Sequence, residues 1–466
     1  MICWRDAISA SCPMGSSKTD SDAHAQKVRS VRQLFRKTMR GHGFVPADPF
    51  LIAFSGGLDS SVLLDLVTQY SDDPQNLVRV IHVHHGLNAN ADRWLLHCRD
   101  ASRRLGLDFH GEHVDLDASG GNLEARARAQ RYRVMLAHLR DHETLLLAHH
   151  RGDTVETFFL NLMRGAGARG LSGIPALVHR SGKRFFRPMQ QLSKTEILDY
   201  ATLSGLNWVE DESNANPRFD RNYLRHRVLP RLNERWPECD KMVARACQNL
   251  ADTAALADET GGADLQAVAV EEHRPGSVHQ LQLSREKLMR LTPLRRKNLL
   301  RYAFCQLAVY APERRFLDKL LALVESGANN KRLSWEKWIV HAYDSQLFFY
   351  PAQGITPAAN SIDWHLAAQP SVRWGGLLIT ADKAAQAELQ IRPRRGGERL
   401  QLAGRAHSHA LKALLQQWRV PPWERSALPL IWRGARLVAI PGYLQPADMA
   451  EAGDLADVRF HVQNVR

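Results

Sequence analysis

FLIAFSGGLDSSVLLDLV, residues 50–67, is the most informative segment of this sequence. Its apolar beginning, 50–54, predicts a buried strand, and its apolar end, 62–67, predicts a helix. The glycines between them allow the backbone to turn sharply and to approach a ligand closely. The first N–H groups of the helix then offer donors and partial positive charge to an anion. The segment therefore predicts a strand, a phosphate-binding turn and a helix.

The side chains of this turn indicate which phosphate compound it binds. The turn lacks the Gly-Lys-Ser/Thr ending of a Walker A loop. It contains a carboxylate, Asp59, which would repel a phosphate unless a bound Mg²⁺ lay between them. We therefore expect a bound phosphate group and Mg²⁺ here, with Asp59 as the metal ligand. The segment SGG-x-DS resembles the signature of ATP pyrophosphatases, and this resemblance implies that the phosphates belong to ATP. The predicted ATP-binding residues are Ser55, Gly56, Gly57, Leu58, Asp59, Ser60 and Ser61. An ordinary strand-to-helix turn is the alternative.

Strand-like and helix-like runs alternate from about residue 27 to residue 211, which indicates a parallel sheet with helices on both faces. The predicted strands are Phe50–Phe54, Val78–His84, Asp108–Val114 and Thr144–His149. The predicted helices are Val28–Met39, Ser60–Tyr70, Asp92–Leu105, Asn122–Leu139, Thr154–Met163 and Lys194–Ser204. Ligands of such sheets bind beyond the carboxyl ends of the strands. Polar segments follow several of these ends, so we expect the site there.

Composition excludes several classes of protein. The chain has 466 residues, 44% apolar and 24% charged, as in ordinary globular proteins. No apolar run approaches the ~20 residues of a membrane span, and the N-terminus lacks a signal-peptide core. We therefore expect a cytoplasmic protein. The six cysteines form no Cys-x-x-Cys pair, which argues against a zinc ribbon, an iron–sulfur site or a dithiol redox motif.

The charge of the chain favours a polyanionic partner. Lys and Arg number 62 against 49 Asp and Glu, a net charge of +13. A basic enzyme with no such partner is the alternative. We predict a disordered lead (1–25), an α/β catalytic domain (26–235), a helical basic domain (236–350), a linker (351–371) and a small α+β C-terminal domain (372–466).

A second polar segment, 148–157, follows the predicted strand that ends at His149. Asp153 and Glu156 are three residues apart, so they share one face at the start of a helix. They could cap that helix, with Glu156 completing a capping box. Beside a phosphate-binding turn, the same two carboxylates could instead hold a cationic substrate.

Arginines form further candidate contacts. Arg128 and Arg131 lie three apart on one predicted helix, and a guanidinium suits phosphate oxygens. An acidic run at 210–212 leads into a basic stretch that contains Arg221 and Arg225. In both cases a solvated helix face is the alternative.

These segments together resemble tRNA(Ile)-lysidine synthetases, a family of PP-loop ATP pyrophosphatases. The resemblance is carried by SGGLDSS at 55–61, His85-Gly86-Leu87, Ala127-Arg128 with Arg131-Tyr132, His149-His150 with Asp153 and Glu156-Thr157, Arg164-Gly165 to Pro175, Arg187-Pro188, Asp211-Glu212-Ser213-Asn214, Arg221-Asn222 to Pro230, and Arg394-Arg395-Gly396-Gly397-Glu398-Arg399 to Trp423. One departure is Gly152, where the family often has a first aspartate.

The resemblance implies an activity and roles for the residues. The family ligates lysine to the wobble cytidine of a tRNA(Ile) with a CAU anticodon, through an adenylated cytidine. Asp59, His149, Asp153, Glu156, Arg128 and Arg221 would then be catalytic. Asp153 and Glu156 would hold the lysine, and one of them could accept its proton. Which carboxylate does which stays open, and so does the assembly state, with a homodimer as one option.

Basic stretches would grip the tRNA mainly through its phosphates. The predicted contacts are Arg225, Arg290, Arg295, Arg296, Arg394, Arg395 and Arg399. Trp418 and Trp423 could stack on nucleotides, but we expect them to pack the C-terminal core.

Three other functions compete with this one. A tRNA thiolase would use cysteines, yet the predicted catalytic domain has only Cys98, which we place in mid-helix and away from the strand ends. A small-molecule amidating synthetase would leave the basic C-terminal half without a purpose. A non-enzymatic RNA-binding protein would not need SGGLDSS together with Asp153 and Glu156.

Overall fold

The computed structural model describes residues 18–84, 86, 90–114, 123–180, 182–210, 219–270, 279–308, 310–352, 360–450 and 453–464. The chain divides into two compact units, Met1–Ala254 and Ala255–Arg466. His85 and residues 211–214, which contribute to the resemblance, lie outside the described residues. Among the residues described, no helix is both long enough and apolar enough to cross a bilayer.

The first unit contains a six-stranded sheet and the helices around it. Its strands are β1 (Phe50–Ala53), β2 (Val78–His84), β3 (Asp108–His113), β4 (Thr144–Leu146), β5 (Leu177–Arg180) and β6 (Lys183–Phe186). Its helices are α1 (Lys18–Gly41), α2 (Leu58–Thr68), α3 (Pro74–Leu77), α4 (Ala91–Arg104), α5 (Leu123–His138), α6 (Arg151–Met163), α7 (Ala168–Leu171), α8 (Lys194–Leu203), α9 (Asp220–Tyr223) and α10 (Leu229–Arg235), with a π-helical turn at Leu224–Val228 and the first part of α11 (Cys239–Val268).

The strand order in this sheet is β3-β2-β1-β4-β6-β5. All neighbouring pairs are parallel except β5 and β6, which are antiparallel. The chain moves outward from β1 through β2 to β3 and then returns to place β4 on the other side of β1. Open α/β sheets bind ligands at such a reversal. The segments that follow β1 and β4 therefore flank the expected site.

Both faces of the sheet are buried. Phe50 and Ile52 belong to a core with residues of α1, α2 and α8. Leu51 points to the opposite face and packs with Met135 of α5 and with Leu139, directly after that helix. Successive side chains of a strand point to opposite faces, so the continuous apolar run of β1 reflects its cover on both sides.

All the strands and helices predicted for residues 27–211 are present. Helix α1 is longer than predicted, because the polar residues before Val28 continue the helix back to Lys18. The prediction that residues 1–25 are disordered is therefore wrong for 18–25, while 1–17 lie outside the described residues. Strands β5 and β6 were not predicted, since four residues each are too few to show a periodic pattern.

The second unit begins with a mixed layer of helices and sheet. It contains β7 (Leu281–Ser284), α12 (Arg285–Arg290), α13 (Pro293–Ala308), α14 (Arg314–Glu325), β8 (Lys331–Trp335), β9 (Trp338–Tyr343) and β10 (Gln346–Pro351). The strands form an antiparallel sheet in the order β7-β10-β9-β8. The helices predicted for 236–350 are present, but describing this region as helical missed the sheet.

The remainder of the second unit is rich in strands. Its elements are β11 (Ile362–His365), β12 (Ser371–Trp374), β13 (Leu377–Ala381), β14 (Glu388–Arg392), β15 (Arg399–Leu400), β16 (His409–Ala410), α15 (Leu411–Gln417), α16 (Pro422–Arg425), β17 (Leu430–Arg433), β18 (Arg436–Ala439) and β19 (Phe460–Asn464), with 3₁₀ turns at Pro446–Asp448 and Gly453–Leu455. The sheets β11-β14-β17-β18 and β12-β13-β19 share one apolar core, which includes Trp364, Trp374 and Phe460. The predicted linker 351–371 contains β11, so it is not a simple linker. The prolines and the glycine in this segment favoured a linker, and a strand of four residues is too short to show a pattern of its own.

Candidate active site

The turn between β1 and α2 has a backbone that only glycine suits. Gly56 has a φ of +81°. A Cβ at this position would lie 2.9 Å from Cys98 Sγ and 3.2 Å from Val209 Cγ2. The positive φ and the close neighbours together exclude a larger residue without local movement. The sequence therefore needs glycine here to begin α2 immediately after β1.

The hydroxyl groups of this turn brace it. Ser55 Oγ lies 3.0 Å from Ser60 Oγ, and the Ser60 hydroxyl donates to the Gly57 carbonyl at 3.0 Å. Ser61 N–H donates to the same carbonyl at 3.0 Å. Gly57 is the N-cap of α2 and provides no side-chain cap. The start of α2 therefore keeps N–H groups that suit an anion.

Asp59, in the first turn of α2, faces two cationic or ionisable groups. Lys194 Nζ, from the first residue of α8, donates to Asp59 Oδ1 at 2.6 Å. His150 Nε2 lies 3.9 Å from the same oxygen. A carboxylate oxygen beside a phosphate-binding turn is a suitable ligand for Mg²⁺. In this structure the ammonium group of Lys194 neutralises the charge of that carboxylate.

His150 is the N-cap of α6 and forms hydrogen bonds with the first turn of that helix. Its Nδ1 accepts from Gly152 N–H at 3.0 Å, and its own N–H donates to Asp153 Oδ2 at 2.9 Å. A Cβ at Gly152 would lie 2.7 Å from His150 Cε1. The glycine that departs from the family pattern thus leaves room for the imidazole that caps the helix.

The same imidazole connects the two polar segments of the site. Because Nδ1 accepts a hydrogen bond, the proton of the neutral ring lies on Nε2. That nitrogen is 3.7 Å from Asp153 Oδ2 as well as 3.9 Å from Asp59 Oδ1. His149 was predicted to be catalytic, and no role was predicted for His150. Two adjacent histidines after a strand end signalled a site, but their pattern did not show which ring faces Asp59.

Glu156 is buried and holds two guanidinium groups. Arg221 Nε donates to Glu156 Oε2 at 2.7 Å, and Arg225 Nε donates to Glu156 Oε1 at 2.6 Å. A second Arg225 nitrogen donates to Oε2 at 3.0 Å. The glutamate side chain is only 2% exposed. The alternative reading of this segment is half correct, because Asp153 completes a capping box with His150 whereas Glu156 is an anchor for cations.

Asp153 lies between these groups and is held as a carboxylate. Burial alone would raise its pKa, but His150, His149, the His150 N–H and Arg221 together keep the pKa below its ordinary value. Arg221 also lies 3.7 Å from Asp153 Oδ1. The carboxylates of Asp59, Asp153 and Glu156 thus form one chain of contacts through His150 and Arg221.

His149 is a neutral imidazole in an electropositive region. Burial lowers its pKa to about 4; Asp153 opposes that shift, and Arg187 and Arg128 add to it. His149 Nδ1 is buried and has no hydrogen-bond partner in the part of the chain that the structure describes. A buried polar atom of this kind suits a ligand that supplies the missing bond.

Arg128 lies in α5, where its guanidinium stacks over the Tyr132 ring at 5.5 Å. Arg187 is buried and donates to the Pro175 carbonyl at 2.8 Å. Both positive charges lower the pKa of His149, so α5 and the segment after β6 contribute to the same region. The structure therefore brings the predicted catalytic residues of four segments together.

The expectation that Cys98 lies away from the strand ends is wrong. The residue is in the middle of α4, but its Sγ is 3.3 Å from His82 Nδ1 and lies beneath Gly56. The fold of α4 over β2 brings the thiol close to the turn. Burial raises the pKa of Cys98 to about 12, so the thiol stays protonated and unreactive.

The arginines predicted to contact RNA in the middle region have different environments. Arg290 is exposed and pairs with Glu286. Arg295 is half exposed and neutralises the buried Asp264. Arg296 is buried and lies 3.2 Å from Glu325, and its burial argues against the predicted contact with RNA.

A compact loop carries the C-terminal arginines. Glu398 Oε1 accepts from the Arg395 and Gly396 N–H groups at 2.6 and 2.7 Å. Gly396 and Gly397 both have positive φ, at +90° and +80°. This arrangement turns the backbone around the carboxylate. Arg394 pairs with Glu398, whereas Arg395 and Arg399 are exposed.

Trp418 packs in the C-terminal core, as expected, whereas Trp423 packs against the sheet of the middle region. Trp418 stacks on Tyr443 with ring centroids 6.0 Å apart. Trp423 stacks on His341 at 3.8 Å. Their rings are therefore engaged in packing.

Comparison with known proteins agrees with this geometry. Residues 24–232 match the family model of the PP-loop domain, so the sheet and its glycine turn define a PP-loop protein. Residues 283–348 match the TilS substrate binding domain, and residues 389–462 match the TilS substrate C-terminal domain. The chain belongs to the tRNA(Ile)-lysidine synthase family, which confirms the resemblance seen in the sequence.

Three curated relatives illustrate this membership. The tRNA(Ile)-lysidine synthase of Coxiella burnetii is 34% identical over 84% of this chain and 88% of its own. The tRNA(Ile)-lysidine synthase of Alkalilimnicola ehrlichii is 36% identical over 85% of this chain and 89% of its own. That of Pseudomonas aeruginosa is 37% identical over 86% of this chain and 92% of its own. A solved U34-tRNA thiolase from Methanococcus maripaludis is only 15% identical, with a TM-score of 0.41 over 49% of this chain and 80% of its own.

Proposed function

We propose that this protein ligates lysine to C2 of the wobble cytidine, position 34, in a tRNA(Ile) with a CAU anticodon. ATP is consumed, and the products are lysidine, AMP and pyrophosphate. The central observation is that Asp59, beside the phosphate-binding turn, and Glu156, a buried anchor for cations, belong to one chain of contacts. An ATP site and a site for an ammonium group are thus adjacent. Membership of the family supports the same activity.

The first step is adenylation of the cytidine. The C2 oxygen attacks the α-phosphorus of ATP, and the bond to the β-phosphate oxygen breaks, so pyrophosphate leaves. The N–H groups at the start of α2 and the turn at 55–61 hold the departing phosphates. The unpaired Nδ1 of His149 orients the α-phosphate or the reacting oxygen. Arg128 and Arg221 contact phosphate during the transfer.

Asp59 would hold Mg²⁺ together with phosphate oxygens. The bound ion would neutralise negative charge on the phosphates. In that state Lys194 would be free to turn from Asp59 toward a phosphate, because its side chain is half exposed.

The second step joins lysine to the activated ring. The ε-ammonium loses a proton, its nitrogen attacks C2, and the C2–O bond to AMP breaks. Asp153 and Glu156 hold the lysine, and one of them accepts the proton. Arg221 and Arg225 occupy Glu156 in the present structure, so they mark a position where a cation is stable. We propose that lysine takes over part of this contact.

The tRNA is bound by exposed arginines outside this cluster. Arg290, Arg295, Arg395 and Arg399 are partly or fully exposed and can reach phosphates. Arg394 is mostly covered beside Glu398 and supports the loop that presents Arg395. Arg225 contributes when Glu156 releases it.

We propose a catalytic domain at 26–235, whose first helix begins at Lys18, a basic domain at 236–350 and a C-terminal domain at 372–466. We propose that the latter two bind tRNA, that the enzyme acts in the cytoplasm, and that a homodimer is one assembly to test by sedimentation.

Nucleoside analysis of the reacted tRNA tests the proposal. Purified protein is incubated with ATP, lysine and a tRNA(Ile) with a CAU anticodon, and AMP and pyrophosphate are measured. We expect their release only when lysine and this tRNA are both present. Digestion of the tRNA followed by mass spectrometry should show a cytidine that has gained a lysyl unit. A sulfur mass shift would support a thiolase, and ADP as the only nucleotide product would overturn the proposal.

The Asp59→Ala variant isolates the nucleotide step. We expect it to lose pyrophosphate release while it still binds tRNA, because Asp59 lies in the turn and not among the exposed arginines. Normal turnover by this variant would show that the metal has been assigned to the wrong carboxylate.

A further inference from the structure

Three side chains with metal-binding atoms converge at the edge of the first sheet, apart from the site described above. His110 and Glu112 lie on the edge strand β3, and His138 is in the last turn of α5. His110 Nε2 is 2.9 Å and His138 Nε2 is 3.8 Å from Glu112 Oε2. One nitrogen or oxygen atom from each residue lies within 4.8 Å of the others.

The register of β3 explains why these residues face α5. His110 and Glu112 are two residues apart, so they share one face of the strand. Gly111 between them faces α4, because a Cβ there would lie 2.6 Å from Leu95 Cδ1. His110 and Glu112 must therefore point to the other side of the sheet, where the end of α5 supplies His138.

The protonation of the two rings is set by their partners. His138 Nδ1 lies 3.0 Å from the Val134 carbonyl. A carbonyl can only accept, so Nδ1 carries the proton and Nε2 keeps a lone pair directed toward Glu112. A second hydrogen bond of this kind commonly fixes the ring of a metal-binding histidine. Between His110 and Glu112 the carboxylate accepts, so His110 Nε2 donates.

The nearby charges are balanced. Arg79 pairs with Asp108 at 3.2 Å and with Glu143 at 3.0 Å. Arg140 lies 3.9 Å from Asp108. The guanidinium groups of Arg79 and Arg140 thus have carboxylate partners of their own, and Glu112 pairs with His110 and His138 instead.

We propose that His110, Glu112 and His138 form a binding site for a divalent transition metal, with Zn²⁺ as its best probe. Two imidazole nitrogens and one carboxylate oxygen are a donor set that Zn²⁺ accepts, and the half-exposed position leaves room for water as a fourth ligand. The metal takes the place of the proton on His110 Nε2, and that proton moves to Nδ1, so the ring stays a neutral imidazole. Mg²⁺ prefers oxygen ligands, so we expect it to bind weakly to two imidazole nitrogens and one carboxylate oxygen.

The bound metal has a structural consequence. It ties the edge strand β3 to the end of α5, the helix that also carries Arg128. A ligand that binds only the folded state stabilises that state, so Zn²⁺ should raise the melting temperature of the protein. The proposal does not depend on the enzymatic activity.

Calorimetric titration of the metal-free full chain with Zn²⁺ tests the site. Excess Mg²⁺ is present throughout, so that carboxylate-rich sites do not compete. We expect one site per chain. His110→Gln, Glu112→Gln and His138→Gln should each weaken binding at least about tenfold, since even indirect changes to metal sites cost about 10–100-fold in affinity. His179→Gln is the matched control, because His179 is an exposed histidine on β5 of the same sheet.

Thermal unfolding provides the second measurement. Zn²⁺ should raise the melting temperature of the parent and of His179→Gln, but not that of the three site variants. The melting temperatures in EDTA show whether each variant is folded. Absence of Zn²⁺ binding by the parent, or binding that all three site variants retain, would overturn the proposal; the latter result would mean an adventitious ion only.

Discussion

For Glu156 the sequence predicted the face of the helix but not the partners of the side chain. Its spacing from Asp153 predicted a shared helix face, and that prediction is confirmed. The same spacing fitted both a capping box and a cation anchor, because helix periodicity fixes direction and not partners. Arg221 and Arg225 come from a distant segment, and their contacts with Glu156 distinguish the two. Lys194 and His150 were missed for the same reason.

Neutralising Glu156 should weaken lysine binding specifically. In Glu156→Gln we expect the KM for lysine to rise about 10- to 100-fold, because a hydrogen bond to a charged group contributes about 1.5–3 kcal/mol. The affinity for tRNA should not fall, because the variant weakens the hold on Arg225 and leaves the exposed arginines unchanged. Steady-state kinetics with lysine as the varied substrate measures the effect.

Glu143→Gln is the matched control for this variant. Glu143 is also a buried glutamate paired with an arginine, Arg79, but it precedes β4 at the opposite end of the strands. Its variant should lose stability and keep the KM for lysine. An equal rise of this KM in both variants would show that the effect is structural.

His149 should make the folded protein less stable as the pH falls. Its pKa is about 4 in the folded state and 6.5 in the reference state. Between these values the unfolded chain binds a proton that the folded chain does not, so stability declines as pH decreases from 6.5 to 4. The shift corresponds to up to about 3 kcal/mol. Urea denaturation of the parent and of His149→Gln should show a shallower decline in the variant. Identical pH profiles would contradict this assignment.

At the scale of elements, the turn between β1 and α2 is the feature that the sequence specified most completely. Strand, glycine turn and helix were predicted at nearly the observed positions, because buried strands and phosphate-binding turns have strong local signals. The four-residue strands β5, β6 and β11 have no such signal. The four-stranded sheet of the middle region was also not predicted. Strands β8, β9 and β10 follow one another across two-residue turns that contain no Asn-Gly or Asp-Gly signal, and only β7 pairs with a strand distant in sequence.

Gly56→Ala should damage this turn more than strain alone would. A left-handed alanine costs roughly 1–2 kcal/mol, and here the new Cβ would also lie 2.9 Å from Cys98 Sγ. We expect loss of pyrophosphate release together with reduced stability in urea. Gly43→Ala is the control, because Gly43 has a φ of +80° and open space around it. Equal effects of the two substitutions would argue against close packing beneath the turn.

The end of α14 depends on one buried arginine. Arg285 donates to the carbonyls of Val324 at 2.7 Å, Leu323 at 2.9 Å and Ala328 at 3.1 Å. Arg285→Met should therefore lower the free energy of unfolding by about 2–4 kcal/mol, measured in urea. Arg290 is exposed at the other end of α12, the helix that begins with Arg285, and Arg290→Met should change stability by no more than about 0.5 kcal/mol. A destabilisation by Arg290→Met as large as that by Arg285→Met would contradict the proposed cap.

At the scale of the whole molecule, the net charge of +13 predicted a polyanionic partner but could not show which arginines face it. Burial separates them: Arg285 and Arg296 serve the interior, whereas Arg395 and Arg399 remain at the surface. A run of basic residues in a sequence is therefore only an upper limit on the contacts available to RNA.

The salt dependence of tRNA binding can test this separation. Each phosphate contact contributes about 0.7–0.9 to the slope of log K against log salt concentration. Arg395→Gln should reduce the slope by about one contact, measured by filter binding over a range of KCl concentrations. Arg285→Met, at a temperature where it is folded, should leave the slope unchanged. The opposite pattern would reverse the assignment of surface and interior arginines.

The contact between Lys194 and Asp59 has a consequence for the order of events in catalysis. An ammonium group already satisfies this carboxylate before any substrate arrives. A solitary divalent ion would have to displace it and would gain little by doing so. We expect the ion to bind together with its nucleotide. The rate should then depend on the concentration of the magnesium–ATP complex and not on that of free magnesium.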